Sequence, residues 1–231
     1  MDKLPHTLGS ALLAIVQPFI NQALQNFKDN KANDLMILGV TYFVTEEWGK
    51  AAANFLKVKV DYKQWQIKYI MAIGLARACN DKISEETKLA YGSKATKLLT
   101  DILDISMDTN TSISESLKPE ILVRLGGIKK IVWFAKKQIN MLSNNSDDEI
   151  NDILNILSQG LKSAEEKRQA KWIEEACYQL GSAYAMINNA TQAQNYYDRL
   201  GHESDMGIQL EKRILSRYNP SMNLHKELKD N

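Results

Sequence analysis

Apolar residues recur at intervals of three and four along almost the whole chain, and no stretch holds the period of two that a half-buried strand needs. The pattern predicts helices over residues 7–28, 33–44, 46–60, 62–79, 85–105, 119–142, 147–165, 170–187, 190–200 and 205–218. Several ends carry their own signals. Thr45 before Glu46 and Glu47 reads as a helix start, Ser146 with Glu149 as a capping box, and Pro119 as a first-turn residue. Asn188 and Asn189 mark a turn between helices. From Pro119 onward, Ile121, Leu125, Ile128, Val132, Ala135, Ile139 and Leu142 alternate steps of four and three. That is an apolar seam of about 24 residues, roughly 36 Å at the helical rise. It is expected either to brace two lobes or to form a dimer seam.

One spacing occurs twice. Leu35, Leu38, Gly39 and Tyr42 are followed by Ala51 and Phe55; Cys177, Leu180, Gly181 and Tyr184 are followed by Ala193 and Tyr197. In both copies twelve residues separate the glycine from the later alanine. A glycine facing an alanine lets two helices approach closely, and the aromatic positions fill the wider space beside them. Ile70, Ile73 and Gly74 restart the pattern, with Ala95 and Leu99 as second-helix equivalents, and Leu122, Leu125 and Gly126 restart it again. The signature resembles the tetratricopeptide repeat, with two good units and two degenerate ones. Departures are visible: the first slot holds Leu35 or Cys177, Val58 and Leu200 stand where a small residue is usual, and Lys63 and Asp205 stand where a closing proline is usual.

The resemblance implies an all-α fold, a solenoid-like stack of antiparallel helical hairpins with about ten helices. It also implies a non-enzymatic module, adaptor or chaperone-like, that holds a protein or peptide segment. In that family the first helix of each unit lines the binding groove. Here that places Asn33, Met36, Val40, Phe43, Lys68, Met71, Leu75, Glu175, Tyr178 and Ser182 on the groove side. A subset of the family grips a terminal carboxylate with Lys, Arg and Asn; no such cluster is visible in this sequence. The first half of the groove is instead apolar and rich in methionine, which repacks around varied shapes. Residues 8–27 could equally fold back and cover it. The alternatives to an adaptor are a self-associating structural subunit, a homo-oligomer, and a small-molecule or lipid binder with a closed apolar cavity.

A polar run within Ser106–Lys118 suggests a hinge loop at 107–116, dividing an N-terminal lobe, 1–106, from a C-terminal lobe, 117–219; residues 220–231 form a polar tail. The chain has 231 residues, enough for a sizeable core, and 29 basic against 28 acidic residues. A net charge of +1 gives no general pull toward nucleic acid or an anionic membrane. The apolar stretch near the N-terminus has Asp2 where a signal peptide is basic, and Pro18 interrupts it, so stable membrane insertion is not expected and a cytoplasmic protein is.

Candidate chemistry changes this picture little. His6, His202 and His225 are scattered, and neither Cys79 nor Cys177 has a second ligand at useful spacing, so neither metal nor cofactor is expected. Cys177 occupies a repeat core slot, although a Cys–His nucleophile remains a possible alternative from sequence. Lys129, Lys130, Lys136 and Lys137 form two pairs one heptad apart beside the apolar seam. They are expected as a solvated face or as a patch for an acidic partner.

Overall fold

The computed structural model of the chain describes residue 21 and residues 35–59, 65–109, 112–142, 146–201 and 204–218. Among the described residues there are nine helices and no strand: α1 (Leu35–Val44), α2 (Trp48–Lys57), α3 (Trp65–Ala78), α4 (Glu85–Thr109), α5 (Ser112–Gln138), α6 (Ser146–Glu166), α7 (Ala170–Met186), α8 (Ala190–Leu200) and α9 (Asp205–Tyr218). The helix expected over 7–28 lies outside the described residues apart from Asn21.

The chain divides into two compact units. One takes Met1–Asn110 with Ile131–Leu142, the other Thr111–Lys130 with Ser143–Asn231, so α5 gives its first part to the second unit and its end to the first. Sequence had suggested consecutive lobes. The expected hinge loop at 107–116 is also largely helical: α4 runs to Thr109 and α5 begins at Ser112. Ser, Thr, Asn and Asp disfavour a helix interior by only about 0.5 kcal/mol each, so a polar run does not by itself stop a helix. Pro119 therefore sits inside α5 rather than at its first turn. A proline lacks the N–H that would bond the carbonyl four residues back. Here the Lys167 ammonium donates to that carbonyl, Glu115 O, and Gln169 Nε2 donates to the next one, Ser116 O, at 2.9 Å.

In the first unit each helix packs on its sequence neighbour, and α1 also touches α3, as α2 touches α4. The glycines set the closeness. A Cβ on Gly39 would stand inside the Phe55 ring, and one on Gly74 would lie 2.7 Å from the opposite edge of that ring. Phe55, Ala51 and Ala95 are fully buried. Phe43 meets Trp48 edge to face at 5.3 Å across the α1–α2 turn. Thr45 does not cap α2. Its Oγ1 donates back to Thr41 O and Tyr42 O at the end of α1, and the N-cap of α2 is Glu47, without a side-chain cap. At the other end of α2, Lys94 Nζ donates to Leu56 O and Val58 O at 2.9 and 2.6 Å, satisfying carbonyls that a helix end leaves open.

The second unit repeats the arrangement. A Cβ on Gly126 would meet Leu157 Cγ at 2.5 Å, and one on Gly160 would meet the Val123 backbone nitrogen at 3.1 Å, which brings α5 against α6. The helix α6 packs on α7, α7 on α8, and α9 on both α7 and α8. Gly181 has Leu210 of α9 and Tyr196 of α8 where a side chain would go. Asn189 caps α8, accepting from Gln192 N at 3.1 Å. Of the apolar seam, Ile121, Leu125 and Ile128 in this unit and Ala135 in the first are buried, while Val132, Ile139 and Leu142 are half-buried.

Candidate functional site

The first helices of the two units differ in what they present. Of the groove residues expected on the first two repeats, Asn33 lies outside the described residues, and Met36, Val40, Phe43, Met71 and Leu75 are core. Phe43 is 1% exposed. Lys68 is buried too, with Nζ 3.0 Å from Asp101 Oδ2. Among the described ones, none of these side chains faces solvent.

The later residues are placed differently. Glu175 and Tyr178 are half-buried on α7, and Ser182, one turn further, is buried. Around them converge side chains from two other helices. Lys130 of α5 donates to Gln179 Oε1 at 2.6 Å, and Gln179 Nε2 donates to Glu175 Oε1 at 2.7 Å. The two ends of one amide thus link an ammonium to a carboxylate. Arg213 of α9 donates to Ser182 Oγ at 3.2 Å. The Tyr178 ring has the Lys130 ammonium 5.7 Å and the Arg213 guanidinium 5.6 Å from its centroid, within cation–π range of both. About one and two-thirds turns earlier, half-buried Trp172 is flanked in the same way, by Arg124 of α5 at 4.9 Å and Lys171 at 5.0 Å. Arg124 is paired with Glu120 at 2.9 Å.

These contacts also give the direction of the helices. Glu115 meets Lys167, Arg124 meets Trp172, and Lys130 meets Gln179, so residue numbers rise together and α5 and α7 run parallel. First helices of successive hairpins run parallel when hairpins stack in sequence.

Lys130 corrects one expectation. It is not on a solvated face but 4% exposed. Burial, aided by repulsion from Arg213 and opposed by Glu175, brings its ammonium down to about 7. The four lysines do not share a surface. Lys129 is half-buried with Nζ 2.5 Å from Asp152 Oδ2, Lys137 is exposed over Trp133 at 5.2 Å, and Lys136 is half-buried. Lys136 and Lys137 belong to the first unit, Lys129 and Lys130 to the second. The heptad spacing aligned them on one helix, but the neighbours of α5 change along its length.

Sequence reasoning missed Arg124, Trp172, Gln179 and Arg213. Gln179 follows Tyr178 and could have been drawn in with it. Nothing in the sequence singles out Arg213, whose role depends on how α9 packs against α7.

Among the described residues, no group of His, Cys, Asp and Glu is placed to hold a metal ion, and no helix is long and apolar enough to cross a membrane. The three histidines lie outside the described residues. Burial pushes the Cys79 thiol up to about 12 and the Cys177 thiol upward as well, which disfavours the thiolate form of each. No protein-family model, curated protein or solved structure matches the chain.

Proposed function

We propose that the chain is a non-enzymatic protein-binding module, a stack of helical hairpins resembling tetratricopeptide repeats, and that its partner segment lies along α7 of the second unit. The observation that carries this reading is the convergence on one half-buried face of Tyr178, Gln179, Lys130 and Arg213 from three helices. Polar and aromatic groups held by mutual bonds at partial exposure form a preorganised contact surface, and Tyr, Trp and Arg are the residue types that dominate binding energy. The parallel run of α5 and α7 and the glycine contacts support the repeat assignment. The apolar residues of the first two repeats are core, which moves the proposed site away from them. An affinity pull-down from the native cell tests the reading. The chain should retain a stoichiometric protein, and Tyr178→Ala with Arg213→Ala should release it; retention unaffected by that pair would remove α7 as the site.

A second reading, self-association, draws on one observation: near and just beyond the end of α5, Phe134 and Met141 are 38% and 63% exposed. Light scattering decides it. A defined oligomer that Phe134→Ser with Met141→Ser converts to monomer supports it.

A further inference from the structure

The helix α9 is held lightly, and two crowded cations meet where it touches α7. Among the described side chains of α9, over residues 205–215, Gly207 and Leu210 alone are buried. Leu210 fills the space left by Gly181, while Arg213, itself exposed, reaches Ser182 Oγ and the Tyr178 ring. A helix that buries so little apolar surface opens at a lower free energy than its neighbours. Lys130, 4% exposed, lies against the same Tyr178 ring, so one aromatic side chain serves two cations. The acceptor for the Lys130 ammonium is the neutral amide of Gln179, and the Glu175 carboxylate is bonded to the far end of that amide. From α7 the groups facing Lys130 are therefore Glu175, Tyr178 and Gln179, and from α9 Arg213. Of the other charges nearby, Lys129 is paired with Asp152 and Arg124 with Glu120, while Glu174 and Glu211 act on Cys177 and Tyr197.

We propose that α9 is a pH-operated flap on α7: it docks over a neutral Lys130, and protonation of Lys130 drives it off by repelling Arg213. In the docked form burial first, and Arg213 second, bring Lys130 down to about 7 against the pull of Glu175. Once α9 lifts, Arg213 leaves and water reaches the ammonium from the side it occupied, so the value moves back toward the ordinary 10.5. The open form then binds more protons than the docked form, and opening is favoured as pH falls. The effect is confined to the range above about pH 7. Below it both forms carry the proton, and the opening equilibrium levels off. This movement is independent of what α7 binds, although it carries Arg213 away from the partner face.

Millisecond hydrogen–deuterium exchange on the full chain, from about pH 6 to about pH 9, tests the flap. Rates are read peptide by peptide and divided by the unstructured-chain rate at each pH, which removes the pH dependence of exchange itself. Protection across α9 should be at least about tenfold below that of α6 at every pH, because α9 opens on its own. It should fall at least about tenfold from pH 9 to pH 7 and change little from there to pH 6. Lys130→Met should abolish the fall, and Arg213→Gln should shrink it by relieving the repulsion. Histidine titrates near the lower end of this range, and His202 precedes α9 in sequence; His202→Gln should leave the profile as it is. Equal protection of α9 and α6 would mean a shared opening and no flap. Protection of α9 that ignores pH, or a fall that survives Lys130→Met, would each overturn the inference. If Lys130→Met does not fold, Arg213→Gln decides, since an undiminished fall in that variant removes the repulsion on which the flap depends.

Discussion

The two units use similar glycine contacts to support opposite surfaces. In the first unit, α1 and α3 are packed on nearly every side: Met36, Val40 and Phe43 on α1, and an unbroken run from Ile67 to Leu75 on α3, are buried. In the second, α7 buries Ala176, Cys177, Leu180 and Ala183 but leaves Glu175, Tyr178 and Gln179 half-buried and bonded to neighbours. A helix that is apolar all round becomes core, whereas one with an apolar stripe keeps a face for other work. The contrast leaves Glu175, Tyr178 and Gln179 of α7 partly exposed where Met36, Val40 and Phe43 of α1 are closed off.

Substitution by glutamate is the strongest way to break that contrast. Phe43→Glu would put an unpaired carboxylate into a site that is 1% exposed, and should cost at least about 3 kcal/mol in a urea or thermal melt. Tyr178→Glu, at a half-exposed position between two cations, should cost under about 1 kcal/mol. A fully stable Phe43→Glu protein would mean that α1 offers an open groove after all, and the two units would have to be treated alike.

Adding a single methyl probes the close approaches. The Phe55 ring is fully buried with Gly39 on one edge and Gly74 on the other, so it has nowhere to turn. Gly39→Ala should therefore cost about 2 kcal/mol despite better helix propensity. At Gly181 the nearest obstacle is a terminal methyl of Leu210 at 2.5 Å, the far end of a flexible though buried side chain, with Tyr196 Cβ next at 3.2 Å. There alanine should change stability by less than about 1 kcal/mol, and Gly181→Leu should be needed to reach about 1–3 kcal/mol. Equal costs for the two alanines, read as shifts of the urea midpoint, would erase this difference between the units.

Much of the helix pattern was legible because it rests on periodicity and local caps. The spans 190–200 and 205–218 agree with α8 and α9, and Asn189 caps where the turn was expected. Gly39, Gly126 and Gly181 stand at helix contacts because absence of a side chain is itself a sequence signal. What failed depended on partners distant in sequence. Pro119 looked like a helix start because nothing local announces that Lys167 will bond the carbonyl at Glu115. Lys130 looked solvated because its heptad position is polar, yet α7 and Arg213 close over it. Thr45 had the right residue type and neighbours for a cap but bonds backward. The candidate site was half visible: Glu175, Tyr178 and Ser182 came from the repeat register, while the cations opposite them came only from the packing.

Lys130 also distinguishes the units by pH. Its folded value of about 7 lies below the ordinary lysine value of 10.5. Between the two, the unfolded chain keeps a proton that the folded chain gives up, so the unfolded state binds more protons and stability rises with pH. From about pH 7 to about pH 9 the second unit should gain about 1–2 kcal/mol, a window below the titration of the tyrosines. Urea melts of Lys130→Met should lose that rise. A rise that survives the substitution would assign it to another group and return Lys130 to an ordinary surface role.

The smallest expected effect checks that the sensitivity of the first unit comes from burial and not from the unit as a whole. Gly49 lies in α2, close in sequence to the crowded Gly39, yet a Cβ there would meet only Asp81 Oδ2, at 3.9 Å. That is an ordinary contact, and the position is exposed. Glycine in a helix carries a backbone entropy cost that alanine lacks, and Gly49, in the first turn of α2, carries part of it. Gly49→Ala should therefore stabilise the protein by up to about 0.5 kcal/mol, seen as a small upward shift of the melting midpoint. Two glycine-to-alanine changes in one helical hairpin would then have opposite signs, one set by the Phe55 ring and one by chain entropy. If Gly49→Ala instead destabilises, the start of α2 is more tightly held than its exposure indicates, and the cost at Gly39 could no longer be assigned to the ring alone.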